Sequence, residues 1–160
     1  MTHDLASRSV RAAKRMSDIP RSGMRGALER VRTGELVNLA GGRPIPIPLF
    51  GSDGFVPSLE ALRAALTPRA RAIVINSPAN PTGAVYPVSA LQTVASFADE
   101  HDLIVVSDEA YEHLVYPPAT HVSIARFAEA RDRTVSIFSL SKTYAMTGWR
   151  VGFAVAPPQL

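Results

Sequence analysis

The sequence predicts an α/β fold built on a partly parallel sheet. Three observations predict it. Residues 70–76, 103–107 and 134–138 are short apolar runs rich in Val and Ile, the pattern of buried strands. Between the first two, Val88, Leu91, Val94, Ala95 and Ala98 recur at helical spacing. Strand, helix, strand, helix, strand is the order that builds a parallel sheet with helices packed on it.

Each element has its own signal. Residues 1–35 read as an arm with helical stretches, broken near Pro20 and Gly23. Residues 41–57 hold four glycines and four prolines, which makes them loop. Ser58 then caps a short helix with Leu59, Leu62 and Leu66 on one face. The first strand spans 70–76. Pro87 opens a helix through Glu100, since proline fits the first helical turn. His101 follows as a C-terminal cap rather than a metal ligand. The second strand is 103–107, a helix lies near 123–130, and the third strand is 134–138. Residues 151–155 form a fourth strand, on a link too short to make it a parallel neighbour. The domain reading is an arm and loop segment over 1–50 and a sheet domain over 51–160. No internal repeat of fixed period occurs.

Bulk properties exclude several classes. With 160 residues, 46% hydrophobic and 19% charged, the chain supports one folded core. There is no cysteine, so no disulfide framework and no thiolate metal site, and the four histidines show no metal spacing. The net charge is +3. The excess is confined to residues 1–43, at +5, while residues 44–160 carry −2. Without interleaved aromatics this reads as a solvated basic arm, not a nucleic-acid surface. No apolar run is long enough for a bilayer, and cytoplasm is the expected location.

The chemistry gathers where the strands end. Ligands of open parallel sheets bind beyond the carboxyl ends of the strands. There the chain places Asn76-Ser77-Pro78-Ala79-Asn80-Pro81-Thr82-Gly83, then Asp108-Glu109-Ala110-Tyr111, then Ser139, Lys142 and Arg150. Each has a plain structural reading: a turn, a helix cap, a core tyrosine, a surface lysine. Lys142 is nonetheless one of only two lysines against fifteen arginines. Only the amine, not a guanidinium, forms a Schiff base. Pyridoxal 5′-phosphate matches the set group by group. Its aldehyde takes a lysine, its ring nitrogen a carboxylate, its phenolic oxygen an amide and a phenol, and its phosphate a hydroxyl and an arginine.

The motifs at 76–83, Ser107-Asp108-Glu109-Ala110-Tyr111 and Ser139-Leu140-Ser141-Lys142, followed by Gly148-Trp149-Arg150-Val151-Gly152, resemble class I/II aminotransferases. These are pyridoxal-phosphate enzymes of fold type I. The resemblance implies part of their parallel-sheet large domain, with the helical arm in front. It implies a Lys142 Schiff base, with Asp108 at the pyridine nitrogen and Asn80 and Tyr111 at the phenolic oxygen. It places Ser139 and Arg150 at the phosphate. Leu39-Ala40-Gly41-Gly42-Arg43-Pro44 resembles the family's substrate loop, which would bring the Gly42 backbone to the substrate carboxylate, with Asn80 also in reach. The implied reaction is transamination between an amino acid and a 2-oxo acid. Lys142 would move a proton from the substrate α-carbon to the cofactor as base, then acid. A family-type homodimer is implied as well, and no metal.

The resemblance also implies what these residues lack. Family members are more than twice as long. Asp53-Gly54-Phe55-Val56-Pro57 follows the substrate-loop segment almost at once, so a stretch on the order of a hundred residues is missing between them. That stretch carries a glycine-rich phosphate loop, a stacking aromatic and a tyrosine for the partner's site. The C-terminal domain, with its carboxylate-binding arginine, is missing too. The expectation is a fragment that does not turn over alone and leaves an apolar sheet face without cover. Three other readings compete. One is a different fold type I enzyme, such as a carbon–sulfur lyase. Another is a non-catalytic interaction module. The third is a nucleotide-binding protein, which the lack of a glycine-rich fingerprint disfavours.

Overall fold

The computed structural model describes residues 42–160. The expected helical arm and the loop residues Leu39, Ala40 and Gly41 lie outside them. The described residues fall into two compact units, one of residues 47–157 and one that includes 42–46 and 158–160.

Residues 42–50 have no regular structure, in keeping with Gly42 and the three prolines Pro44, Pro46 and Pro48. A 3₁₀ turn over Gly51–Asp53 ends at Gly54, whose φ of 65° is left-handed. Helix α1 follows over Leu59–Ala65. The Ser58 side chain accepts the Ala61 N–H at 3.1 Å, a cap that contributes about 1 kcal/mol. Its apolar stripe is shorter than expected. Leu62 is buried, but Leu59 is exposed, and Leu66 has already left helical geometry at ψ 133°.

The sheet is four-stranded, in the order β1-β2-β3-β4. Strands β1 (Ala72–Asn76), β2 (Ile104–Asp108) and β3 (Thr134–Ser139) are parallel. Strand β4 (Gly152–Val155) is antiparallel to β3, as the short link demands. Helix α2 (Val88–Glu100) joins β1 to β2 and buries Ala90, Leu91, Val94, Ala95, Phe97 and Ala98. All of these but Ala90 pack in one cluster with Leu62, Ile73, Ile75, Tyr86, Leu103, Val105, Ile124 and Ala130. Each large side chain there contributes roughly 1.5–3 kcal/mol. His101 is the C-cap: its N–H donates to the Phe97 carbonyl, and its ring meets Phe97 edge-on, centroids 4.4 Å apart. The single helix expected near 123–130 is two pieces, a 3₁₀ turn (Ile124–Arg126) and helix α3 (Ala128–Arg131). Phe127, extended at ψ 139°, divides them.

Strand alternation then sorts side chains to two faces. Ile73, Ile75, Val105, Ser107, Glu109, Thr134 and Ser136 share the buried parity. Val74 and Ile137 have the other parity and are exposed, at 61% and 37%, and every residue of β4 is exposed. Among the described residues, then, no element covers that face of the sheet. Among the described residues no helix is long and apolar enough to cross a membrane, and no cluster of metal-ligating side chains occurs.

Candidate active site

The three parallel strands end along one edge in near-perfect step. Asn76 is the register partner of Asp108, and Asp108 that of Ile137, two residues before Ser139. With strands roughly 4.8 Å apart, three chain ends deliver their side chains within one small molecule's length.

The β1 end is held by its own amides. Asn76 donates through Nδ2 to the Asp108 carbonyl at 3.2 Å and accepts the Asn80 N–H on Oδ1 at 2.9 Å. The Ser77 N–H donates to the same Asp108 carbonyl, at 3.2 Å, and the Ser77 hydroxyl accepts from the Tyr86 N–H at 2.9 Å. The turn closes with the Gly83 N–H on the Ala79 carbonyl at 2.8 Å, at a φ of 72° that suits glycine. Its backbone is thus fixed while the Asn80 side chain stands exposed at the edge.

Asp108 closes β2 on the open face, half-buried. One carboxylate oxygen accepts the Ala110 N–H at 3.1 Å. That leaves acceptor capacity for a further donor, since a carboxylate offers about four lone-pair positions. The chain then turns, and Tyr111 comes to lie beneath Lys142, whose Nζ is 5.4 Å from the ring centroid. At that range the ring face attracts an ammonium by roughly 0.5–1 kcal/mol at an exposed site.

Lys142 sits on a one-turn helix, α4 (Leu140–Thr143), which periodicity did not reveal. Its N-cap is Ser139, whose hydroxyl accepts the Ser141 N–H at 3.3 Å and keeps its own O–H free to donate. The Lys142 side chain is exposed. The loop beyond α4 is unusual: Ala145 and Arg150 are both left-handed, at φ 54° each. For residues with a Cβ this costs roughly 1–2 kcal/mol apiece, and such strain gathers at functional sites. Arg150 spends one N–H on the Thr147 carbonyl, at 3.1 Å, and exposes the rest of its fork.

Six of the seven expected site residues, Asn80, Asp108, Tyr111, Ser139, Lys142 and Arg150, therefore sit on the loops and strand ends of one sheet edge. Lys142 Nζ lies over the Tyr111 ring, 5.4 Å from its centroid. Gly42 is exposed and belongs to the other compact unit. The groove between α1 and α2, lined by Leu59, Arg63, Gln92, Thr93 and Phe97, contains none of them.

One residue of the motifs has a part that the sequence reading did not assign. Glu109 is 1% exposed. Its carboxylate meets His121 Nε2 at 2.9 Å and accepts the Ser123 hydroxyl at 2.8 Å. Burial pushes this carboxyl up, but the hydrogen bonds with His121 and Ser123, helped by the nearby Ser136 and Ser107 hydroxyls, outweigh it and hold it below its ordinary value. An ionised carboxylate only accepts, so His121 Nε2 carries the shared proton. Strand parity was the available signal: Glu109 falls in step with buried Val105 and Ser107.

The family model for aminotransferase class I and II matches residues 33–160. Aspartate aminotransferase of Pyrococcus abyssi is 46% identical over 121 residues, covering 76% of this chain and 31% of that protein. Aspartate/prephenate aminotransferase of Thermus thermophilus is 46% identical over 126 residues, covering 79% and 32%. The crystal structure of an aromatic aminotransferase from Pyrococcus horikoshii OT3 matches with a TM-score of 0.73 at 48% identity, covering 76% of this chain and 32% of that one. The chain spans about a third of the length of the relatives it matches.

Proposed function

The chain belongs to the class I and II aminotransferases, and on that premise we propose that its sheet edge is the pyridoxal-phosphate-holding part of a transaminating enzyme. The substrates of that enzyme would be an amino acid and a 2-oxo acid. The observation that carries this reading is the delivery of six unlike polar groups to one edge, with Lys142 over the Tyr111 ring.

The residues fit the cofactor's chemistry. Pyridoxal phosphate, when bound, supplies an aldehyde that condenses with amines and a ring that draws electrons from the substrate α-carbon. Lys142 would hold it covalently through Nζ and, once released, move a proton at the substrate α-carbon. The Asp108 carboxylate, still open to a donor, would keep a proton on the ring nitrogen by Coulomb attraction. The exposed Asn80 amide and the Tyr111 hydroxyl would donate to the phenolic oxygen. Ser139, with its O–H free, and Arg150, with four N–H groups unspent, would hold the phosphate. The Gly42 backbone and the Asn80 amide are proposed for the substrate carboxylate. A homodimer is proposed from the family resemblance alone, and a cytoplasmic location is proposed beside it.

Holding the cofactor is assigned to these residues; turnover by the 160-residue chain alone is not expected. Equilibrium dialysis against pyridoxal phosphate tests the assignment. Arg150→Ala removes a charge-assisted hydrogen bond worth roughly 1.5–3 kcal/mol, so affinity should fall by about ten-fold or more. Asp108→Asn should weaken binding in the same direction. Wild-type affinity in both variants would contradict the reading.

A further inference from the structure

Glu109 stands apart from the cofactor-facing set. It follows Asp108 directly, so the pleat sends it to the opposite face of the sheet, where it is buried. Its backbone N–H extends the ladder to the Ile137 carbonyl at 2.8 Å. Beneath it lie Ser107 and Ser136, register partners on β2 and β3 and both buried. The carboxylate then reaches forward to His121 and Ser123, twelve and fourteen residues along the chain.

Those contacts close a loop. Residues 110–120 leave the sheet after Asp108 and return at His121 and Ser123, just before the 3₁₀ turn over Ile124–Arg126 docks Ile124 in the core. Along the excursion few ties hold the chain: the Glu112 N–H to the Glu109 carbonyl, the Leu114 N–H to the Tyr111 carbonyl and the Ala119 N–H to the Tyr116 carbonyl. Leu114 and Tyr116 are exposed. Tyr111, the residue under Lys142, rides on this excursion.

We propose that Glu109 is a positioning residue, which through His121 and Ser123 clamps the 110–123 excursion to the sheet and so sets the Tyr111 ring against Lys142. A buried carboxylate is held in place only by its donors, and the donors are held by it. Losing the clamp frees the far end of the excursion while leaving the ladder at Asp108 intact. Tyr111 then loses its fixed pose, and the phenol that would donate to the cofactor's phenolic oxygen is no longer pre-placed.

This inference rests on the proposed cofactor site, and its test separates the two. Pyridoxal phosphate is titrated into the full chain, and the visible absorption band and apparent affinity are measured for wild type, Glu109→Gln, Tyr111→Phe and the double variant. Gln keeps the shape but not the charge, and its amide donates where only acceptors fit. Glu109→Gln should reproduce the band displacement of Tyr111→Phe and weaken binding about 3- to 10-fold, the size of one hydrogen bond. The double variant should add no further change, because both substitutions remove the same contact. Additive effects, or a wild-type band in Glu109→Gln, would overturn the inference while leaving the cofactor site standing. A wild-type chain whose band does not depend on Lys142 would overturn both. If Glu109→Gln does not fold, Ser123→Ala removes one donor of the clamp and should shift the band in the same direction. An unshifted band there counts against the proposal.

Discussion

Gly152→Ala puts the junction between β3 and β4 to a quantitative test. Gly152 is paired with Ser139, the residue that caps the helix bearing Lys142. A Cβ built on it would lie 2.5 Å from the Phe138 carbonyl oxygen, and that neighbour is backbone, unable to swing aside. Ordinary contact begins near 3.4 Å, so the strands would have to part by close to an ångström. Overpacking of this kind costs roughly 1–3 kcal/mol. Strand β4 is an edge with every side chain exposed, so the cheapest relief is to peel it from β3. Thermal unfolding should show a fall of roughly 2–8 °C per kcal/mol lost. Hydrogen exchange should show the β3–β4 bonds opening before those between β1 and β2. Gly148→Ala is the control: nothing lies within 4 Å of its would-be Cβ, so its stability should stay within about 0.5 kcal/mol of wild type. Equal melting temperatures for Gly152→Ala and wild type would refute the close approach.

Three further outcomes are expected. Leu91→Ala empties a site only 1% exposed in the first turn of α2 and should cost about 2–5 kcal/mol in urea unfolding at unchanged m-value. The Glu109 carboxyl is held below its ordinary value of 4.5, so its stabilisation is complete above that pH and fades as pH falls through the depressed value. Glu109→Gln should therefore flatten the acid limb of the stability–pH curve below about 4.5; an unaltered limb would refute the clamp's charge. Tyr111→Phe keeps the ring beneath Lys142 and removes only the hydroxyl, so pyridoxal phosphate binding should weaken by about ten-fold or less. Unchanged affinity would remove Tyr111 from the phenolic-oxygen role.

Much of this fold was legible because local signals and burial agree. Val88, Leu91, Val94, Ala95 and Ala98 fell at helical spacing, and all but Val88 are buried. Strands β1 to β3 lie within a residue or two of their apolar runs, since buried parallel strands write themselves as such runs. What failed was decided at longer range. The break at Phe127 is an extended residue in an otherwise helical stretch, and no proline or glycine announces it. Helix α4 is too short to show a period, and it depends on the cap from Ser139. Among site residues, types and order pointed to Asn80, Asp108, Tyr111, Ser139, Lys142 and Arg150. Glu109 is not legible as such, because a carboxylate is buried only where donors meet it, and these come from His121 and Ser123 across a loop. The left-handed geometry of Arg150 is likewise invisible in its residue type.

Lys142 is the proposed anchor of the cofactor, and a covalent trap tests that most directly. The chain has only two lysines, Lys14 and Lys142, so each serves as the other's control. Pyridoxal phosphate is added to the folded chain, the mixture is reduced with borohydride, and the modified peptide is located by mass spectrometry. The expected result is an adduct concentrated at Lys142 and abolished in Lys142→Ala. Equal labelling of Lys14 and Lys142, rising together with cofactor concentration, would contradict it.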